Sequence, residues 1–257
     1  MLRAAWSGDD DPKLDDPNVT FHADGGYWHP QFKSEHQYGL PNRPLFTMGE
    51  GATMSAGIII AHKSVPLPTV LESLWEAESD RAKKLKGYSQ NKQVIYPYKD
   101  GCCFRVIYGG GNTLEALMKG HLLSDWWQWL QGGREETTAF APVLYRLAEE
   151  LPRHAAITEN YQMVSKAARV ILTARDEPLS EELQDSICNW LDEWEKWAFL
   201  VKKDWDIKHP DPEKLFECDD QKKPLGIEIE DLAKILRFSA FWIDKMAKHD
   251  QWLKEGK

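Results

Sequence analysis

Between positions 81 and 105, Arg81, Lys83, Lys84, Lys86, Lys92, Lys99 and Arg105 stand against a single acid, Asp100, and Tyr88, Tyr96 and Tyr98 are interleaved with them. Ammonium and guanidinium groups neutralise phosphates, and phenol rings stack on bases. The stretch therefore has the parts for holding a nucleotide or single-stranded nucleic acid, with Lys83, Lys84 and Lys86 as the candidate nucleotide-binding residues. The same composition also suits a helix end and a solvated loop, because cations favour the last turn of a helix. Both uses stand open at this level.

Other chemistry-bearing residues are sparser. Cys102, Cys103, Cys188 and Cys218 lack the paired spacing of metal ligands, and two adjacent thiols on a strand point to opposite faces, which favours reduced, structural cysteines. His62 stands alone at a strand end, a place for a structural hydrogen bond rather than for acid or base work. Gly109-Gly110-Gly111 has no Lys-Ser or Lys-Thr behind it and reads as a strand-ending turn, not a phosphate loop. Trp28-His29-Pro30-Gln31-Phe32 reads as a loop.

The elements that must carry these residues follow from period and punctuation. Residues 1–50 show repeated Gly, Pro, Asp and Asn and no sustained period, so an irregular segment is expected, one that wraps a partner or continues a design begun elsewhere. Thr53 to His62 is a near-continuous apolar run, as in a strand covered on both faces. Leu67 to Lys86 is amphipathic with Pro66 and Pro68 at its start and Gly87 at its end, which predicts a helix. Cys102 to Tyr108 is the next strand, and a strand, helix, strand unit of this kind normally crosses over in the right-handed sense.

From Leu114 the period is helical, predicting helices over 114–131, 139–151, 157–174, 180–205 and 228–254. Nine of the twelve tryptophans fall there. Trp190, Trp194 and Trp197 share one helix face, expected to be an aromatic core. The divisions expected are an irregular segment 1–50, an α/β unit 51–113 and a helical domain 114–257.

Composition bounds the function. With 257 residues, 42% of them hydrophobic, the chain can bury a sizeable core. A net charge of -9 argues against indiscriminate nucleic-acid binding by the whole surface, though not against a local basic site. No apolar run suits a membrane span and the N-terminus lacks a secretion-signal pattern, so no membrane partner and a cytoplasmic location are expected.

Ser55-Ala56-Gly57-Ile58-Ile59-Ile60-Ala61-His62-Lys63, Pro66-Leu67, Val70-Leu71-Glu72, Ala77-Glu78, Ala82-Lys83 and Asp100 before an apolar strand closely resemble the second palm of the large subunit of type III CRISPR effector complexes, the Cmr branch in particular. Val106 to Glu115 continues the likeness, and Gly226 to Trp242 is similar to the last helix of that subunit's C-terminal helical domain. The resemblance covers roughly residues 52–250, and the strand, helix and strand also resemble the GGDEF cyclases.

It implies an α+β fold, a partial ferredoxin-like or polymerase-palm sheet followed by an all-helical domain. It also implies the C-terminal part of a subunit in an RNA-guided antiviral ribonucleoprotein, with other type III subunits as partners and guide and target RNA reached indirectly. Cyclic oligoadenylate synthesis, using magnesium and ATP, is implied only if the missing palm half is supplied. The family's metal-binding Gly-Gly-Asp-Asp turn has its nearest counterpart in Ser7-Gly8-Asp9-Asp10-Asp11, making Asp9 and Asp10 the implied metal ligands. Lys83 falls where the family places a triphosphate-contacting lysine. A stand-alone nucleotidyl cyclase and a non-catalytic, palm-derived protein that docks on or obstructs a CRISPR complex are the rival readings.

Overall fold

The structure, a computed structural model, describes residues 19–24, 27–32, 45–46, 48, 52–136, 140–174, 179–209 and 223–255. The chain falls into two units, Met1–Met54 and Ser55–Lys257.

The first unit holds an antiparallel sheet of β1 (Val19–Asp24), β2 (Tyr27–Phe32) and β3 (Leu45–Phe46), in that order. This departs from the expected irregularity. Thr20, Phe21, Tyr27 and Trp28 are strand formers. Trp28 to Phe32 is accordingly not a loop but the paired strand β2, with Pro30 opposite Phe21. Pro30 lacks a donor, and β3 reaches only Tyr27 and Trp28, so the missing N–H interrupts no ladder bond to β3.

The second unit is α+β. Its sheet runs β4 (Ala56–Ala61), β7 (Gly101–Ile107), β8 (Thr113–Lys119), with β4 and β7 parallel and β7 and β8 antiparallel. Helix α1 (Leu67–Glu76) connects the parallel pair. Strand alternation divides the side chains of β7 between two layers. Arg105 turns toward Ser73 and Glu76 of α1, whereas Phe104 stacks on Phe238 of α6 (Ile229–Glu255), the ring centroids 4.6 Å apart.

The helix expected over 67–86 ends sooner. α1 gives way to a wide π-type turn over Ala77–Arg81 and a tight 3-10 turn over Ala82–Lys84. Packing explains the break: Ala77 and Ala82 are both fully buried, and a Cβ on Gly57 of β4 would sit 3.0 Å from the Glu78 nitrogen. Small residues on both sides let backbone approach backbone, and the wide turn keeps both alanines on the sheet. A hairpin that the sequence reading did not anticipate follows, β5 (Tyr88–Gln90) and β6 (Gln93–Tyr96). Asn91 and Lys92 turn it with φ of 50° and 65°, as a two-residue I′ turn requires.

The segment from Leu114 is also corrected: 113–119 is strand, and the helix begins at Leu123. Leu114-Glu115-Ala116-Leu117-Met118 has good helix formers, but pairing with the buried strand β7 outweighs local preference. The remaining helices are α2 (Leu123–Glu136), α3 (Phe140–His154), α4 (Met163–Thr173), α5 (Glu181–Lys208) and α6. Ser180 caps α5 by accepting from the Leu183 N–H at 3.2 Å. The buried Glu195 carboxylate accepts from Val164 N at 3.0 Å and Thr158 N at 2.7 Å, occupying the N-terminus of α4.

Sheet and helices share one core. Trp190, Trp194 and Trp197 are buried in it as expected, and Trp190 Nε1 donates to Leu122 O at 3.0 Å. No division therefore falls at 113/114, since β8 belongs to the sheet and packs against α6.

Candidate functional site

At the carboxyl ends of β4 and β7 the chain leaves a cleft of about 660 Å³, walled by α1 on one side and by the turn from Tyr108 to Gly111 on the other. Carboxyl ends of parallel strands are where open α/β sheets receive ligands. The turn is closed by Gly111 N donating to Tyr108 O at 3.0 Å, with Gly111 at φ +84°, so the glycine run is the strand-ending turn expected of it. His62 sits behind Gly109, where a Cβ would meet its Nδ1 at 2.9 Å. That Nδ1 lies 2.8 Å from Ser64 Oγ, a local structural contact.

The floor of the cleft is an alternating set of charges. Arg105 is only 7% exposed and donates from Nε to Glu115 Oε2 at 3.0 Å and from Nη1 to Glu76 Oε2 at 2.8 Å and Ser73 Oγ at 3.0 Å; its Nη2 also reaches Glu115. Arg81 Nε lies 3.1 Å from Glu115 Oε1, within ion-pair range but without hydrogen-bond alignment, and its Nη2 lies 3.8 Å from Glu76. Burial opposes the charge on Arg105, but the bonds to Glu76 and Glu115 outweigh it and hold its pKa above the usual value. The hydrogen bond from Arg105 holds the Glu76 carboxyl below its ordinary range.

Two guanidiniums thus face two carboxylates, with Glu72 adding a further acid to the lining. Such a floor is a poor cradle for a triphosphate, because its cations are already matched. It is a poor cage for magnesium too, because its carboxylate oxygens are engaged by arginines. Among the described residues no cluster of three or more His, Cys, Asp and Glu side chains could hold a metal. Asp9 and Asp10 lie outside the described residues.

Lys83, Lys84 and Lys86 are exposed, and none lines this cleft. Lys83 Nζ pairs with Glu78, one turn back on the wide turn. Lys86 instead lines a smaller hollow of about 90 Å³ together with Tyr98, Trp205 and Lys208. Cys102, Cys103 and Cys188 are buried free thiols, and burial pushes Cys102 and Cys103 up to about 12, which suits structural residues. Cys218 lies outside the described residues.

The Arg105, Glu115, Glu76 and Arg81 cluster was not anticipated. Its one sequence signal is a charge in the middle of the apolar run Cys102 to Ile107. Glu115 becomes its partner only once the β7–β8 register is known.

No family model matches this chain, and neither a curated protein nor a solved structure matches it. No described helix is long and apolar enough to cross a membrane.

Proposed function

We propose that this chain is an assembly component of a type III CRISPR effector of the Cmr kind, equivalent to the C-terminal part of the palm-bearing large subunit, and that it docks rather than catalyses when alone. The observation that carries the reading is an unpartnered surface on the palm-like unit. Among the described residues β4 pairs on one side only, and on α1 Leu67 and Trp75 are 66% and 68% exposed, with Leu71, also exposed, between them at four-residue steps. An open strand edge and an apolar helix stripe are the features through which sheets capture partners. Residues 52–113 carry the palm-like spelling, and the sheet runs without a break into the helices where the resembling subunit has its helical domain.

Cyclic oligoadenylate synthesis belongs to this proposal only where a complete palm with metal-binding carboxylates is present. The pairing of Lys83 with Glu78 and the matched charges of the large cleft favour the non-catalytic reading, in which the chain docks on or obstructs such a complex.

The test is reconstitution. Purified chain is mixed with a type III complex assembled on guide RNA without its large subunit, and its incorporation is followed by size-exclusion chromatography. Co-elution, lost in Leu71→Asp and Trp75→Asp, supports the proposal, and separate elution overturns it. Incubation of the isolated chain with labelled ATP and magnesium is expected to give no oligoadenylate; product would establish the stand-alone cyclase instead.

A further inference from the structure

The hollow beside Lys86 joins two parts of the chain that no sequence window unites. Gly87 lies against the 96–98 backbone, where a Cβ would meet Tyr96 O at 2.4 Å and Tyr98 N at 2.6 Å, so only glycine allows the two segments to touch. Trp197 Nε1 donates to Lys86 O at 3.1 Å and fastens this junction to α5. The end of α5 then brings Trp205 and Lys208 to the same opening.

The opposite wall is held under strain. Lys99 and Asp100 are consecutive non-glycine residues with φ of 62° and 49°, a left-handed pair that L side chains adopt only at a steric cost. The fully buried ammonium of Lys119 compensates by donating to Pro97 O and Lys99 O, and Lys99 N donates to Leu85 O at 3.0 Å. The effect is to present Tyr98, 51% exposed, and the exposed Lys99 on the outer side of this turn.

We propose that this hollow seats an unpaired base of single-stranded nucleic acid, with Tyr98 and Trp205 contacting the base and Lys86 and Lys208 its phosphates. Trp205 is already stacked on His209, the centroids 3.8 Å apart, which pre-orients the indole. At about 90 Å³ the hollow is too small to enclose a base pair. Asp204 pairs with Lys208 at 2.6 Å, but this is an exposed pair at four-residue spacing, and such pairs contribute little in water, so Lys208 exchanges it for a phosphate readily. The site stands on its own geometry and holds whether or not the chain belongs to a CRISPR complex.

The experiment is fluorescence anisotropy of the full chain with a labelled single-stranded RNA of mixed sequence, titrated across salt concentrations. Wild type is expected to bind with affinity falling as salt rises. Lys86→Ala with Lys208→Ala is expected to flatten the log–log slope by about 1.4, the share of two phosphate contacts on a single strand. Tyr98→Ala is expected to weaken binding by at least about fivefold while Tyr98→Phe, which keeps the ring, stays close to wild type. Lys196→Ala, elsewhere on α5, is expected to leave the slope unchanged, and the same RNA as a duplex to bind less tightly. An unaltered slope in the double variant, equal flattening by Lys196→Ala, unchanged affinity in Tyr98→Ala, duplex binding as tight as single-strand binding, or no binding by wild type would each overturn the proposal.

Discussion

Arg105 and Glu115 are register partners across the β7–β8 hairpin, and their side chains meet on the face of the sheet that α1 covers. The pair fixes three elements at once, since Arg105 also bonds Ser73 and Glu76 on α1. A buried guanidinium with this many partners is costly to break by halves.

Glu115→Leu alone is therefore expected to lower the unfolding free energy by about 3 kcal/mol, by leaving Arg105 buried and short of a partner, whereas Arg105→Leu with Glu115→Leu recovers much of that loss. Urea denaturation followed by circular dichroism gives the comparison. Equal losses in the single and double variants would show that packing and not charge pairing governs the site.

Acid should weaken the same contact. The Glu76 carboxyl titrates below its ordinary 4.5 in the folded chain, so its contribution is present above that value and is lost as pH falls through the lower folded value. The melting temperature of Glu76→Gln is expected to lie below wild type at neutral pH and to converge with it as acid protonates Glu76 in the folded chain as well. Asp192, raised above 3.8 by burial, has the opposite sign, and Asp192→Asn should gain on wild type as pH rises.

The buried thiols should be inert. With Cys102 and Cys103 pushed up to about 12, almost no thiolate forms at about pH 8. Mass spectrometry after iodoacetamide treatment is expected to find neither labelled in the native chain and both labelled in denaturant. Native labelling of either would mean that β7 opens.

Lys119→Met tests the strained turn. Removing the ammonium leaves Pro97 O and Lys99 O without their donor, and the expected loss is about 2–3 kcal/mol, with increased hydrogen exchange across 97–100. A stable variant with unchanged exchange would show that the left-handed pair holds itself.

Legibility in the sequence tracked the range of the interactions. Strands β4 and β7 and helices α3, α5 and α6 were readable within about three residues, because each is a long run with one period and buries a continuous face. β8 reads as helix in the sequence, because Leu114 to Met118 has helix-forming side chains and only its pairing with β7, closed by the turn at Gly111, makes it a strand. The break after Glu76 is hidden for a similar reason: Ala77 and Ala82 continue a helical pattern, and the close approach of Ala77 to Gly57 and of Ala82 to Gly101 becomes visible only in space. Of the candidate lysines, composition marked Lys86 but could not mark Trp205 or Lys208, more than a hundred residues away.

By itself the sequence determined the mixed α and β character, the apolar runs that become β4 and β7, and the tryptophan face of α5, since periodicity and apolar content are local properties that survive any arrangement of the elements. Only the tertiary structure decided which charges meet. Arg105 with Glu115, and Lys86 with Trp205, are brought together by strand register and helix packing, and those are set by the whole buried core at once.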